Sequence, residues 1–164
     1  MDLLIQYASD LHLENKKNQI WLETNPLQPV APYLILAGDI MQLDQEYEKE
    51  SFWDYIAEHW KQTYVLPGNH EFYGHTVDLN HSLDLKIDIR PTIQLVNNQS
   101  IDIKGNTFLF TTLWSHITNH KTQKDFYDFR RCTYKGELFN FRHYNALHKQ
   151  CLDWLTKAVE QKKH

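Results

Sequence analysis

The stretch Tyr64-Val65-Leu66-Pro67-Gly68-Asn69-His70-Glu71 decides the fold. A short apolar run ends in a proline and a glycine. An amide, an imidazole and a carboxylate follow at once. Short apolar runs stopped by turn residues read as strands buried on both faces, the pattern of a parallel sheet. The same pattern occurs twice upstream. Tyr33 to Ala37 leads into Gly38-Asp39, and Leu3 to Ser9 leads into Asp10-Leu11-His12. Positions 10, 39 and 69 are therefore spaced by roughly 30 residues each, one strand–helix–strand unit. Such units are right-handed, so successive strands lie parallel and their carboxyl ends gather on one side. Ligands of open α/β sheets bind on that side.

Outward from these motifs, the pattern predicts a helix over 45–60. Phe52, Tyr55, Ile56 and Trp60 follow its spacing, and Asp44 is placed to cap its start. Pro26, Pro29 and Pro32 make 13–32 a loop with at most a short helix. Leu79, Leu83 and Ile87 share one helical face, which predicts a second helix over 76–88. The period then changes. Ile93–Val96, Ile101–Ile103 and Thr107–Trp114 read as strands, the last two joined through Gly105-Asn106 as an antiparallel section. Segment 115–139 is polar and aromatic and shows no clear period. Phe141, Tyr144, Leu147, Cys151, Leu152, Leu155 and Val159 make a long amphipathic helix. The predicted fold class is α/β, with one domain spanning 1–164.

Composition narrows the function. Apolar residues make up 41% of 164 residues, enough for one buried core. The net charge of -4 and the lack of a basic stripe argue against a phosphate-tracking nucleic-acid binder. A small phosphorylated ligand is still compatible, because metal ions supply positive charge locally. Cys132 and Cys151 lack CxxC spacing and read as reduced thiols. The N-terminal apolar run is short, lacks a basic flank and is broken by Asp10, unlike a signal sequence. No stretch approaches the ~20 apolar residues of a membrane span. The expected location is the cytoplasm.

The three motifs carry metal chemistry. Asp10 and His12 stand at i and i+2, so on an extended backbone they point the same way. A carboxylate with an imidazole suits Mn, Fe or Zn better than Ca or Mg. Gly38 lets the backbone bend, and Asp39 can bridge two ions with its two oxygens. Asn69 offers a neutral amide oxygen to a second ion. His70 can reach a substrate rather than the metal. Taken singly, each residue has a plainer reading as a turn former, a cap or a hydrogen-bonded histidine. Their order behind three apolar strands favours the metal site.

This series, D-x-H, then G-D, then G-N-H-E, resembles calcineurin-like metallophosphoesterases. Leu36-Ala37-Gly38-Asp39 and Leu66-Pro67-Gly68-Asn69-His70 also resemble the family, and Thr112-Leu113-Trp114-Ser115 resembles a strand end in one bacterial branch of small predicted phosphohydrolases. The resemblance runs over nearly the whole chain. It implies a two-sheet sandwich flanked by helices. It also implies hydrolysis of a phosphomono- or phosphodiester by a hydroxide activated between two metals. Asp10, His12 and Asp39 would bind the first ion, and Asp39 and Asn69 the second. His70 would be the general acid. The substrate would be a phosphorylated small molecule or nucleotide.

The family continues past the long helix with a strand ending in His and then a Gly-His-x-His motif. Neither occurs here. His59, His75, His81, His116, His120, His143, His148 and His164 stand in no such context. His116 and His120 are the candidates for recruitment; His143 and His148 read as structural or surface. The chain is thus expected to be the N-terminal part of the domain, truncated at its C-terminal end. An alternative is a catalytically impaired or inactive metal-binding remnant. It would complete its site with a partner chain or by homo-oligomerisation. A metal-free nucleotide-binding module is disfavoured by the lack of a Gly-rich phosphate loop.

Overall fold

Three parallel strands lie side by side in sequence order. They are β1 (Ile5–Ala8), β2 (Tyr33–Ala37) and β3 (Gln62–Leu66). The computed structural model describes residues 2–44, 47–74, 78–118 and 126–162. Ala8 pairs with Leu36 and Ala37 with Leu66, so the three strands end level with one another. β5 (Ile93–Val96) extends the sheet parallel to β3, and β4 (Lys86–Arg90) closes it antiparallel to β5. The order is β1-β2-β3-β5-β4.

Alternation along the strands sorts side chains onto two faces. Leu34, Leu36, Val65, Ile93 and Leu95 join the main core. There they meet Leu22 of α1 (Lys16–Thr24), Trp53 and Ile56 of α2 (Ser51–His59), and Leu147 and Cys151 of α4 (Phe141–Gln161). Trp53 and Ile56 are essentially fully buried, worth roughly 2–3 kcal/mol each in apolar transfer. Tyr33, Tyr64 and Val96 face the other way. A hairpin of β6 (Gln99–Ile103) and β7 (Asn106–Phe110) covers them with Ile103 and Phe110. This is the α/β arrangement of two unequal packed sheets, with helices outside, that the resemblance implies.

Several local expectations change. Leu79, Leu83 and Ile87 do not build a helix. Leu79–His81 is one 3-10 turn, Asp84 takes a left-handed φ of 59°, and Lys86–Arg90 pairs as β4. Strand pairing with β5 overrides the helical spacing. Residues 75–77 of that segment lie outside the described ones. α2 begins at Ser51 with Glu50, not Asp44, at its N-cap, after a 3-10 turn at Tyr47–Lys49. The strand expected to reach Trp114 stops at Phe110. Thr111 and Thr112 hydrogen-bond instead to Asn98, Asn97 and Pro67, which takes the backbone out of the ladder. The β6–β7 turn lies at Lys104-Gly105, both at positive φ, as tight hairpins favour. Segment 115–139 supplies α3 (Asp128–Arg131) and a small hairpin of β8 (Thr133–Tyr134) and β9 (Glu137–Leu138).

Cys132 and Cys151 are buried free thiols. Burial, and then the Asp128 charge, pushes the Cys132 thiol up to about 12. No described helix is long and apolar enough to cross a membrane.

Candidate metal centre

The three motifs meet where β1, β2 and β3 end. Ligand atoms of Asp10, His12 and Asp39 lie within 4.8 Å of one another. The route differs from simple strand alternation, because β1 stops at Ala8. Asp10, His12 and Asp39 all adopt left-handed φ, at 58°, 47° and 57°. Side chains other than glycine resist that region by roughly 1–2 kcal/mol. Neighbouring backbone holds them there. Asp10 N–H donates to the Gly38 carbonyl at 3.1 Å, and His12 N–H to the Asp39 carbonyl at 3.0 Å.

Two glycines allow the closest approach. A Cβ on Gly38 would sit 3.0 Å from the Gly68 nitrogen, and Gly38 also needs its φ of 92°. A Cβ on Gly68 would fall 2.2 Å from Asp39 Oδ1. The Asp39 carboxylate therefore lies in space that any side chain at 68 would fill. Its Oδ1 also accepts the His70 backbone N–H at 3.1 Å.

Glu71 ties these loops together from beneath. Its carboxylate accepts N–H groups of Ile40 at 2.7 Å, Gly68 at 2.8 Å and Asp39 at 3.1 Å. Burial pushes its carboxyl up to about 7; the bond from Ile40 opposes this and the nearby Asp39 charge adds to it. Glu14 binds from the solvent side. Its Oε1 lies 3.2 Å from His12 Nδ1 and 2.9 Å from His70 Nδ1. The two imidazole rings stand 4.4 Å apart, edge to face. With Nδ1 engaged, the Nε2 of each ring is left for other work, the arrangement carboxylates commonly impose on histidine ligands. His12, Glu14 and His70 also form a second group able to hold a cation.

Asn69 stands beside this cluster. Its Nδ2 donates to Asp128 Oδ1 at 2.7 Å and meets the Tyr73 hydroxyl at 2.9 Å. Burial raises the Tyr73 phenol, and the Asp128 charge adds to this, so the hydroxyl stays protonated and donates to Asp128. Glu14, Tyr73 and Asp128 are contributors that the sequence reading did not assign. The i+2 and i+4 positions of Glu14 relative to His12 and Asp10 were the one available signal.

Among the described residues, no further histidine joins these groups. His116 is exposed, its ring 5.6 Å from that of His148, whose Nδ1 donates to the Trp114 carbonyl. His143 stacks on Tyr134 at 4.8 Å. His120 lies outside the described residues. A cleft of about 200 Å³ opens beside Asp10, walled by Leu11, Leu13, Asn18, Trp21 and Leu22. A larger one of about 370 Å³ lies between α1 and α2 and touches none of the clustered residues. Adjacency to Asp10 makes the smaller cleft the relevant one.

Two carboxylates and an imidazole at this separation fit a transition-metal cation, a mixed N/O donor set that Mn, Fe and Zn accept. The space kept open by Gly68 is occupied by one of those donors.

Comparison with known proteins bears on the family and the fold. A family model described as calcineurin-like phosphoesterase matches residues 5–159. An uncharacterized protein of Acanthamoeba polyphaga mimivirus is 30% identical over 134 residues, 73% of this chain and 47% of its own length. The crystal structure of phosphopantetheinyl hydrolase from Mycobacterium tuberculosis superposes with a TM-score of 0.58 at 16% identity. That match covers 96% of this chain and 63% of the other, and it speaks to fold alone. The chain thus spans about half the length of the curated relative it matches. With the motifs, the sheet topology and the family match in agreement, the chain belongs to the calcineurin-like phosphoesterase family.

Proposed function

We propose that the chain carries the metal-binding core of a phosphoesterase that hydrolyses a phosphomono- or phosphodiester of a small molecule or nucleotide in the cytoplasm. The observation that carries this reading is the convergence of Asp10, His12 and Asp39 within 4.8 Å at the ends of parallel strands. Asp10, His12 and Asp39 would hold a first Mn, Fe or Zn ion, and Asp39 with the Asn69 amide oxygen a second. When bound, such ions lower the pKa of the attacking water and offset charge on the phosphoryl oxygens.

The chain's own residues supply the rest. His70 takes the role of general acid: Glu14 holds its Nδ1, which turns Nε2 outward to protonate the leaving oxygen. Glu71 fixes the loops that carry Asp39 and His70. The cleft beside Asp10 offers apolar walls to the part of the substrate beyond the phosphate. The test is turnover of bis-p-nitrophenyl phosphate and p-nitrophenyl phosphate with added Mn²⁺, before and after chelation. Chelator-sensitive hydrolysis that disappears in Asp39→Ala is the expected result. Metal bound at His116 and His148 with the Asp39 cluster empty would overturn the assignment.

A second reading has its own observation. β1 is an edge strand, and Leu4, Tyr7 and nearby Val30 are 59%, 80% and 76% exposed. In this reading the site is completed by a second polypeptide or a second copy, and the isolated chain turns over weakly or not at all. Activity restored by adding such a chain separates it from the first.

A further inference from the structure

We propose that Asp128 is a positioning residue for the metal centre: it fixes the orientation of the Asn69 amide so that only the oxygen faces the site. This rests on the reading of Asn69 as a metal ligand. A primary amide carries a donor end and an acceptor end of nearly equal shape, and only the oxygen has lone pairs for a cation. An Asn at such a site needs something to choose between the two.

Asp128 makes that choice. Its Oδ1 receives Asn69 Nδ2 at 2.7 Å and the Tyr73 hydroxyl at 3.1 Å, while Nδ2 lies 2.9 Å from the same hydroxyl. These contacts close a triangle of Asn69, Tyr73 and Asp128. A carboxylate only accepts, so the NH₂ must face it. A flipped amide would set oxygen against oxygen at hydrogen-bond distance. Among the described residues, no donor reaches Asn69 Oδ1. Asp128 and Tyr73 are 7% and 6% exposed, so water does not readily substitute for either.

The anchor is itself held in place. Asp128 opens α3, whose Phe129 is buried against Phe139 and Tyr144 at 5.7 and 6.1 Å between ring centroids. Gly74 N–H donates to the Arg131 carbonyl at 3.1 Å, which ties α3 back to the turn that carries Tyr73. The segment joining β7 to α4 thereby reaches across to the metal-site loop.

The test is Mn²⁺ titration of the 164-residue chain, followed by the electron paramagnetic resonance signal of free Mn²⁺. Wild type, Asn69→Ala, Asp128→Asn, Tyr73→Phe and Asn69→Ala/Asp128→Asn are compared, each with its thermal midpoint in chelator. Asp128→Asn keeps the shape but accepts either amide orientation. It is expected to weaken Mn²⁺ binding about 10–100-fold, the usual effect of losing a ligand's hydrogen-bonded support. Its midpoint in chelator should stay near wild type. The double variant should bind no more weakly than Asn69→Ala alone. Wild-type binding by Asp128→Asn beside a clear loss in Asn69→Ala overturns the positioning role and leaves the ligand reading intact. Wild-type binding by Asn69→Ala overturns both. A further loss in the double variant would mean that Asp128 acts on the fold, not through Asn69. If Asp128→Asn does not fold, Tyr73→Phe decides: weaker Mn²⁺ binding supports the triangle, and unchanged binding rejects it.

Discussion

Glu71 accepts the backbone N–H of Ile40 at 2.7 Å although 31 positions separate the two. With Gly68 and Asp39 also donating to it, one buried carboxylate joins the loop after β2 to the loop after β3. Glu71→Ala would leave three backbone donors without partners and open a small cavity. Each unmet buried donor costs about 1–3 kcal/mol, partly relieved by entering water. The expected loss is about 3 kcal/mol or more, measured by urea unfolding in chelator. A loss below ~1 kcal/mol would show that the loops hold their shape without Glu71.

Gly68→Ala tests the approach of the two loops. The new Cβ would lie 2.2 Å from Asp39 Oδ1 and 2.9 Å from the Asp39 backbone nitrogen, and Gly68 is not at positive φ, so the clash is with Asp39 rather than with the backbone conformation of residue 68 itself. Asp39 must swing away. Mn²⁺ binding should fall at least about tenfold, with ~1–3 kcal/mol of overpacking strain. Wild-type Mn²⁺ affinity in this variant would mean that the Asp39 position does not govern the site.

Asp78 gives a pH dependence away from the metal cluster. Its desolvation alone would raise its carboxyl, but N–H groups of Gly136, Asn80 and Lys135 outweigh this and hold it below the usual range. A depressed carboxyl means that the unfolded chain binds the proton more readily. The stabilisation is therefore present above the unfolded Asp value of about 3.9 and is lost as pH falls through the folded value. Thermal midpoints taken from pH 6 downward should drop more steeply for wild type than for Asp78→Asn. Parallel curves would remove Asp78 from the acid transition.

Much of this was legible in the sequence because the informative signals are local. Strands Tyr33–Ala37 and Gln62–Leu66 lead into Gly38 and Gly68, the glycines that let Asp39 and His70 close on one another, and the ~30-residue spacing sets their side of the sheet. What was missed is set by tertiary contact. Ile87 and Ile89 lie in a strand because β5 is their partner, which helical spacing does not register. Asp128 sits in a segment without periodicity, and its value lies in a bond to Asn69 across 59 positions. Glu71 was visible inside the motif, but its role as acceptor of three N–H groups depends on two loops meeting beneath the site.

His70 and Glu14 divide acid from orienter. His70→Ala should lower kcat about 10²–10⁴-fold, the range for a lost general acid, with metal content little changed. Asp39→Ala should remove metal and activity together. Glu14→Ala leaves His70 in place but frees its Nδ1, so kcat should fall by a smaller factor, about tenfold. Loss of metal in His70→Ala as complete as in Asp39→Ala would make His70 a ligand rather than the acid. It would also bring the group of His12, Glu14 and His70 forward as the cation site.

The edge of the sheet carries the last prediction. β1 pairs only with β2, which leaves the hydrogen-bonding groups on its other side without a neighbouring strand among the described residues. Tyr7 projects from it 80% exposed, and Leu4 and Val30 widen the apolar surface. Unpaired edges with apolar side chains recruit other strands, and a charged side chain on the edge, lysine above all, works against this. The chain should self-associate, and Tyr7→Lys should shift it toward monomer without changing the Asp10–His12–Asp39 cluster. Light scattering across a concentration series, paired with the phosphodiester assay, reads both. A stable wild-type monomer hydrolysing the ester at an ordinary enzyme rate, about 1–10³ s⁻¹, would end the case for a completing partner. The ligands that finish the site would then have to lie within these 164 residues, with Glu14 first among those to test.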